Sequence, residues 1–227
     1  MSASPPDLSN GDAVRRAIEH TALAADVTPA RIDRLCEEAV AHRLFGVCVN
    51  PVHVARCRNR LASSRVRIVT VVGFPLGASF SECKAHEADL AVRAGADELD
   101  MVMAVGLAKA GDWAAVARDA AAVVEAAGGR PVKLIIETGL LDADEKARAC
   151  QSAVEAGVAF VKTCTGFAAG AATVDDVRLL SAALAGRLPI KASGGIRGAA
   201  QARDLLAAGA TRLGTSASIQ IVGELGS

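Results

Sequence analysis

Eight short, nearly continuous apolar runs are strung along this chain, each followed by a longer stretch of helical periodicity. The runs are IEHTAL (18–23), FGVCVN (45–50), RIVTVVG (67–73), ELDMVM (98–103), VKLIIET (132–138), FVKTCT (160–165), PIKASG (189–194) and RLGTSA (212–217). Strands that are apolar throughout are covered on both faces, and strict strand–helix alternation is the pattern of a parallel sheet wrapped by helices. Successive starts fall about 28 residues apart, close to the roughly 30 available when ~250 residues are shared among eight units. Eight such units favour an α/β fold of the closed (β/α)8, or TIM-barrel, type. An open doubly wound sheet is the alternative, and it requires a GxGxxG turn after the first strand; TALAADVT stands there instead.

The intervening segments carry helix punctuation. Thr28-Pro29 supplies a cap and an N1 proline to a helix whose apolar face is Ile32, Leu35, Ala39 and Val40. Ser81 is expected to cap 82–94, Asp112 to cap 113–127, and Thr173 with Asp176 to cap 174–185, while Gly128 and Gly186 stand at C′ positions. RAGADELDMVM, EAGVAFVKTCT and AAGATRLGTSA form a faint internal repeat of helix end, Ala-Gly, strand. With 227 residues and 52% hydrophobic content there is one sizeable core, and residues 15–227 read as a single catalytic domain behind a flexible leader, 1–14. The start MSASPPDLSNGD has neither the charged n-region nor the apolar h-region of a signal peptide.

Several function classes are disfavoured. Net charge is zero and aromatic content 3%, which argues against nucleic-acid binding through a basic face or stacking platform. No run of 18 apolar residues provides a membrane span. The six cysteines contain no CxxC pair and read as free thiols of a cytoplasmic protein. The four histidines lack metal-ligand spacing, so no metal site is expected.

In a barrel of this type the chemistry sits at the C-terminal ends of the strands. The polar residues late in the runs are Glu19, His20, Thr21, Cys48, Asn50, Asp100, Glu137, Thr138, Lys162, Thr163, Cys164, Lys191, Ser193, Thr215 and Ser216. Lysine placement narrows this set, for the chain has six lysines against 19 arginines. Lys84, Lys109 and Lys146 fall in helical or loop segments and read as solvated; Lys133, at the start of its strand, reads as an edge charge away from the catalytic end. Lys162 and Lys191 lie inside consecutive apolar strands, which in a barrel are neighbours about 4.8 Å apart. A free lysine is neutral in only about one molecule in 2,500 at pH 7, and a buried neighbouring cation shifts that balance toward the neutral amine a Schiff-base nucleophile requires. Nucleophile plus perturbing cation is one reading; two separately ion-paired lysines is the other.

Asp100 is either the ion-pair partner of Lys191 or a proton shuttle, and the two roles are compatible. SGGIRG (193–198) and LGTSAS (213–218) end strands seven and eight, the usual place for a backbone phosphate cup. Gly194, Gly195 and Ser216 are its expected donors, with Gly166 closing it; Arg197 either assists or is a solvated helix residue. Cys48 and Cys164 read as pocket wall, since a strand cysteine is more often a small hydrophobe than a nucleophile.

Taken together, FGVCVNP (45–51), VVGFPLG (71–77), ELDMVMAVG (98–106), KLIIETGLL (133–141), FVKTCTGF (160–167), IKASGGIR (190–197) and GTSAS (214–218), in this order and at barrel spacing, resemble the deoxyribose-phosphate aldolase family over about residues 17–222. The resemblance implies a (β/α)8 barrel without metal or organic cofactor. It implies Lys162 as the Schiff-base lysine, Lys191 as the lysine that perturbs it, and Asp100 as the proton-transfer carboxylate. Thr21, Cys48, Thr163, Gly166, Gly194, Gly195 and Ser216 are the expected substrate-binding residues. Glu19 stands where the family has Asp and is the candidate relay; Cys164 stands where Ser is common; and no tyrosine exists to serve the proton-transfer role a C-terminal tyrosine has in some members. The implied reaction is reversible cleavage of 2-deoxy-D-ribose 5-phosphate to acetaldehyde and D-glyceraldehyde 3-phosphate by a homodimer or other homo-oligomer. Other readings are a Schiff-base barrel for another sugar phosphate, a flavin-phosphate barrel, and a non-catalytic sugar-phosphate sensor.

Overall fold

A computed structural model describes residues 11–168 and 170–226. The eight apolar runs form strands Ile18–Ala22 (β1), Gly46–Val49 (β2), Arg67–Val72 (β3), Glu98–Val102 (β4), Val132–Ile135 (β5), Phe160–Lys162 (β6), Ile190–Ser193 (β7) and Ala210–Thr215 (β8). All pair in parallel in chain order, and β8 returns to β1, closing the barrel. The closure abolishes sheet edges, so every strand is covered by neighbours on both sides. The strands are shorter than the runs because their last residues leave the ladder as the turns that form the mouth. Residues 163–165 do so after β6, although FVKTCT reads as one strand.

The helices are Gly11–Ala17 (α1), Pro29–Ala41 (α2), Val54–Arg60 (α3), Ser81–Arg93 (α4), Val105–Lys109 (α5), Trp113–Ala126 (α6), Ala143–Glu155 (α7), Val174–Leu184 (α8), Ala199–Ala207 (α9) and Ser218–Glu224 (α10). Of the leader expected over 1–14, residues 1–10 lie outside the described residues; residues 11–14 open α1, with Val14 fully buried. Thr28, Asp112 and Thr173 cap α2, α6 and α8 as the sequence predicts. In α2 the buried face is Ile32, Leu35, Cys36 and Ala39; Val40, expected on it, is half-exposed at the margin of the stripe. Ser81 does not cap α4. It is the first helical residue, and its hydroxyl donates to Asp119 Oδ1 at 2.7 Å.

The main apolar core lies between the outer face of the barrel and the ring of helices. A second, small cluster of Leu23, Cys48, Val69 and Val71, covered by Phe74, lies on the β1–β3 side. Lys84, expected to be solvated, is instead fully buried between α4 and α6, where its Nζ donates to Asp119 Oδ2 at 2.6 Å and to the Val102 carbonyl at 3.3 Å. Its long stem reaches a carboxylate contributed by the neighbouring helix, which no local pattern around residue 84 discloses. Breaking a buried pair from one side leaves an uncompensated charge, at a cost of about 3–5 kcal/mol. Lys84→Met is therefore expected to lower the unfolding free energy from urea titration by that much, and Lys84→Met/Asp119→Leu to recover most of it. Equal stability of Lys84→Met and wild type would contradict this account.

Candidate active site

Inside the barrel, β2 and β3 present Cys48, Val69 and Val71, while β1 and β4–β8 carry a cluster of charges. Register brings Asp100 of β4 opposite Lys133 of β5, Lys162 of β6 opposite Lys191 of β7, and Lys191 opposite Arg212 of β8. A bulge between Ile190 and Lys191 interrupts the β7–β8 ladder, a device that re-aims the side chain beside it. Gly214 completes the space: a Cβ there would stand 3.0 Å from Lys191 Cε.

Asp100 is the hub. Its Oδ2 accepts from Lys162 Nζ at 2.7 Å and from Lys191 Nζ at 2.6 Å, and its Oδ1 accepts from Lys133 Nζ at 2.9 Å. Glu19 Oε2 accepts a hydrogen bond from Lys191, while Glu19 Oε1 is 3.1 Å from Arg212 Nη1 and 3.5 Å from Lys133 Nζ. Glu98 Oε2 closes the lower part of the cluster, 2.7 Å from Lys133 and 3.4 Å from Arg212. The Arg212 guanidinium lies 3.2 Å from the centroid of the Phe45 ring. The cluster thus contains four cations, Lys133, Lys162, Lys191 and Arg212, facing three carboxylates, Glu19, Glu98 and Asp100. With every group ionised, one positive charge is in excess in a site shielded from water.

Lys133 departs most from expectation. Read as an edge charge, it is fully buried and contacts all three carboxylates. The reason is phase: it shares the inward side of its strand with Ile135, whose Cα partner across the ladder is Lys162. Burial alone would raise Asp100, but Lys133, Lys162 and Lys191 outweigh it and hold that carboxyl well below its usual range. Glu19 behaves likewise: burial opposes its charge, and Lys133 and Lys191 prevail. Burial would discharge Lys191 and Lys133, yet the facing carboxylates, Asp100 foremost, hold both above the ordinary lysine value.

Above the cluster opens a cavity of about 430 Å³. Of the seven charged groups only Lys162 lines it, so the amine exposed to a ligand is the one whose only carboxylate partner among the described residues is Asp100. Thr21, Gly166, Gly194, Gly195 and Ser216 also line it, as does Arg197. Gly166 and Gly195 have φ of 82° and 71°, a region L side chains rarely adopt, and a Cβ on Gly195 would meet that of Ala171 at 2.8 Å. Backbone N–H groups freed by such turns form cups for anions.

Two expected substrate contacts, Cys48 and Thr163, lie off the cavity lining. Thr163 points the other way from Lys162, as strand alternation demands, and its hydroxyl stitches β6 to β7 through the Ser193 carbonyl and amide, each at 3.0 Å. Cys48 is fully buried in the small apolar cluster beside Asp100 and Glu19, and that burial pushes its thiol up to about 11. Sequence reasoning missed Glu98 and Arg212, whose places in the cluster are decided by register. It also passed over the role of Glu137. That residue adopts φ 56°, is buried, and accepts from Thr165 Oγ1 at 2.6 Å and from its amide, bracing the turn that follows Lys162.

Comparison with known proteins gives a consistent picture. A family model described as DeoC/LacD family aldolase matches residues 14–216. The deoxyribose-phosphate aldolase of Streptococcus uberis is 48% identical over 209 residues, covering 92% of this chain and 95% of that relative. That of Deinococcus radiodurans is 50% identical over 205 residues, covering 90% and 93%. Among solved structures, the tetrameric deoxyribose phosphate aldolase of Aeropyrum pernix superposes with a TM-score of 0.88 at 30% identity, covering 95% of each chain.

Proposed function

This chain belongs to the DeoC/LacD family of aldolases, and from that premise we propose that it reversibly cleaves 2-deoxy-D-ribose 5-phosphate into acetaldehyde and D-glyceraldehyde 3-phosphate through a Schiff base on Lys162. The observation that carries the assignment of Lys162 is its place: of the seven charged groups in the cluster, Lys162 alone lines the cavity, while Lys133 and Lys191 are held in the charged form by their carboxylates away from it.

Lys162 Nζ attacks the C1 aldehyde carbon, and loss of water gives an iminium. Acetaldehyde takes two of the five carbons, so the bond that breaks is C2–C3. A base removes the C3 hydroxyl proton, C3 becomes the aldehyde carbon of the released triose phosphate, and the C2–C3 electron pair passes into the iminium to form an enamine. Protonation at C2 and hydrolysis release acetaldehyde and restore the lysine. Asp100, acting through water and in concert with Lys191, is the group we assign to these proton transfers; it already touches both amines. Glu19 keeps Lys191 charged. The phosphate is remote from the bond that breaks, so its capture by Gly166, Gly194, Gly195 and Ser216 positions the carbon chain.

The assay is direct. Deoxyribose 5-phosphate should disappear with equal release of acetaldehyde and glyceraldehyde 3-phosphate, and acetaldehyde should outperform dihydroxyacetone as donor in the reverse direction. A preference for the ketone would assign a different aldolase substrate to the same lysine.

Among the described residues no helix is long and apolar enough to cross a membrane. The six free cysteines and the phosphorylated substrate suit a reducing cytoplasm, where we place the protein. The same reading includes a homodimer or larger homo-oligomer, and a monomer mass by light scattering would remove that part of it.

A further inference from the structure

Arg31 has no part in the expected site, yet it lines the same cavity as the glycine turns. It stands in the first turn of α2, which follows β1, and β1 is the neighbour of β8 in the closed barrel. Ala22, Leu23, Ala24, Val27 and Arg31 therefore form the β1 side of the cavity, next to Ser216 after β8 and separated from the 166 turn by β7 and β8.

The Arg31 guanidinium is held from behind. Its Nη1 donates to Glu38 Oε2 at 2.8 Å, and the same oxygen accepts from His20 Nε2 at 2.8 Å. His20 is a β1 residue, fully buried between Glu19 and Thr21. Its Nδ1 is buried with no hydrogen-bond partner among the described residues, which suits the tautomer carrying its single proton on Nε2 and donating it to Glu38. Glu38 is thus fastened to the barrel wall through a rigid ring, and it fastens Arg31 in turn. A guanidinium offers five N–H donors, and the Arg31 side chain spends one of them on Glu38 and none on any other acceptor among the described residues. Free donors in a fixed fork, on the wall of a cavity whose facing turns present backbone N–H groups, match a phosphate dianion.

We propose that Arg31 is a ligand of the substrate phosphate, and that Glu38 and His20 hold it in place. The inference rests on the aldolase reading above and adds the Arg31 side chain to a cup assigned to Gly166, Gly194, Gly195 and Ser216. It makes Arg31 a source of preference for phosphorylated over unphosphorylated sugars, because Gly166, Gly194, Gly195 and Ser216 donate neutral hydrogen bonds; Arg197 is the other guanidinium on the lining.

The test compares 2-deoxyribose 5-phosphate with 2-deoxyribose in wild type, Arg31→Gln, Arg31→Lys and Glu38→Gln. Loss of a charge-assisted hydrogen bond corresponds to roughly ten- to hundredfold in binding. The ratio of kcat/KM for the phosphorylated over the unphosphorylated sugar should fall by that factor in Arg31→Gln, chiefly through KM, and less in Arg31→Lys. Inhibition by inorganic phosphate should weaken in parallel, and Glu38→Gln should show the same change in smaller measure. Equal losses for both sugars in Arg31→Gln, with phosphate inhibition intact, would make Arg31 a structural residue and overturn the proposal. Wild-type protein that cleaves neither sugar would overturn the aldolase reading itself, a different and distinguishable failure.

Discussion

Lys162→Leu protein should fold and should not cleave deoxyribose 5-phosphate. The expected loss is at least roughly 10⁴-fold in kcat, the scale seen when a covalent nucleophile is removed. Its folding is expected because leucine replaces the lysine stem at similar volume and because Asp100 does not become an orphan. Two ammonium groups, Lys133 at 2.9 Å and Lys191 at 2.6 Å, remain on its two oxygens. Removing Lys162 also removes the excess positive charge, leaving three cations against three carboxylates. The melting temperature should therefore stay close to that of wild type or rise. Substantial residual cleavage in a well-folded Lys162→Leu protein would remove the lysine from the mechanism.

Asp100→Asn has the opposite character, since it should damage both activity and stability. Asparagine keeps the shape but neither takes up a proton as a base nor balances three ammonium groups. The loss of proton transfer is expected to lower kcat by about 10²–10⁴-fold. Four cations would face two carboxylates, and removal of the hub charge should cost about 3–5 kcal/mol at pH 7. The pH dependence follows from the sign of the shift. Asp100 and Glu19 both titrate lower in the folded protein than in the unfolded chain, so at acid pH the unfolded chain binds protons first. Their stabilising contribution is fully present above the unfolded values of about 3.9 and 4.3 and is lost as pH falls below them. Wild type should lose stability steeply in urea titrations taken below about pH 4, and Asp100→Asn should show a shallower decline. An identical acid slope in the two proteins would contradict the burial of Asp100 as an ion.

Part of this architecture was legible in the sequence alone. The barrel was, because eight apolar runs at even spacing leave few alternatives and the strands close in chain order. Lys162 and Lys191 were, because an ammonium in an apolar strand is conspicuous and consecutive strands are neighbours. The turns at Gly166, Gly194 and Gly195 were, because glycine pairs after late strands have few other uses. Lys133 was not. Its position at the start of β5 suggests the barrel's far end, whereas its alternation phase turns it inward, and only register discloses that Asp100 stands opposite. Lys84 escaped for a related reason: it lies on α4, and its partner Asp119 comes from α6; Arg31 escaped because no sequence pattern says that the first turn of α2 reaches the cavity. Thr163 was over-read because alternation turns it away from Lys162, whereas Cys48 takes the inward face beside Asp100 and Glu19 but lies off the cavity lining.

The central claim is that Lys162 Nζ carries the substrate carbon chain. It is tested by incubating the protein with acetaldehyde, reducing with borohydride, and mapping the modified peptide by mass spectrometry. The account predicts a stable ethyl adduct on Lys162, formed also when deoxyribose 5-phosphate, which the mechanism cleaves to acetaldehyde on the same lysine, replaces acetaldehyde. An unmodified Lys162, or an adduct on Lys191 or Lys133 in its place, would contradict it.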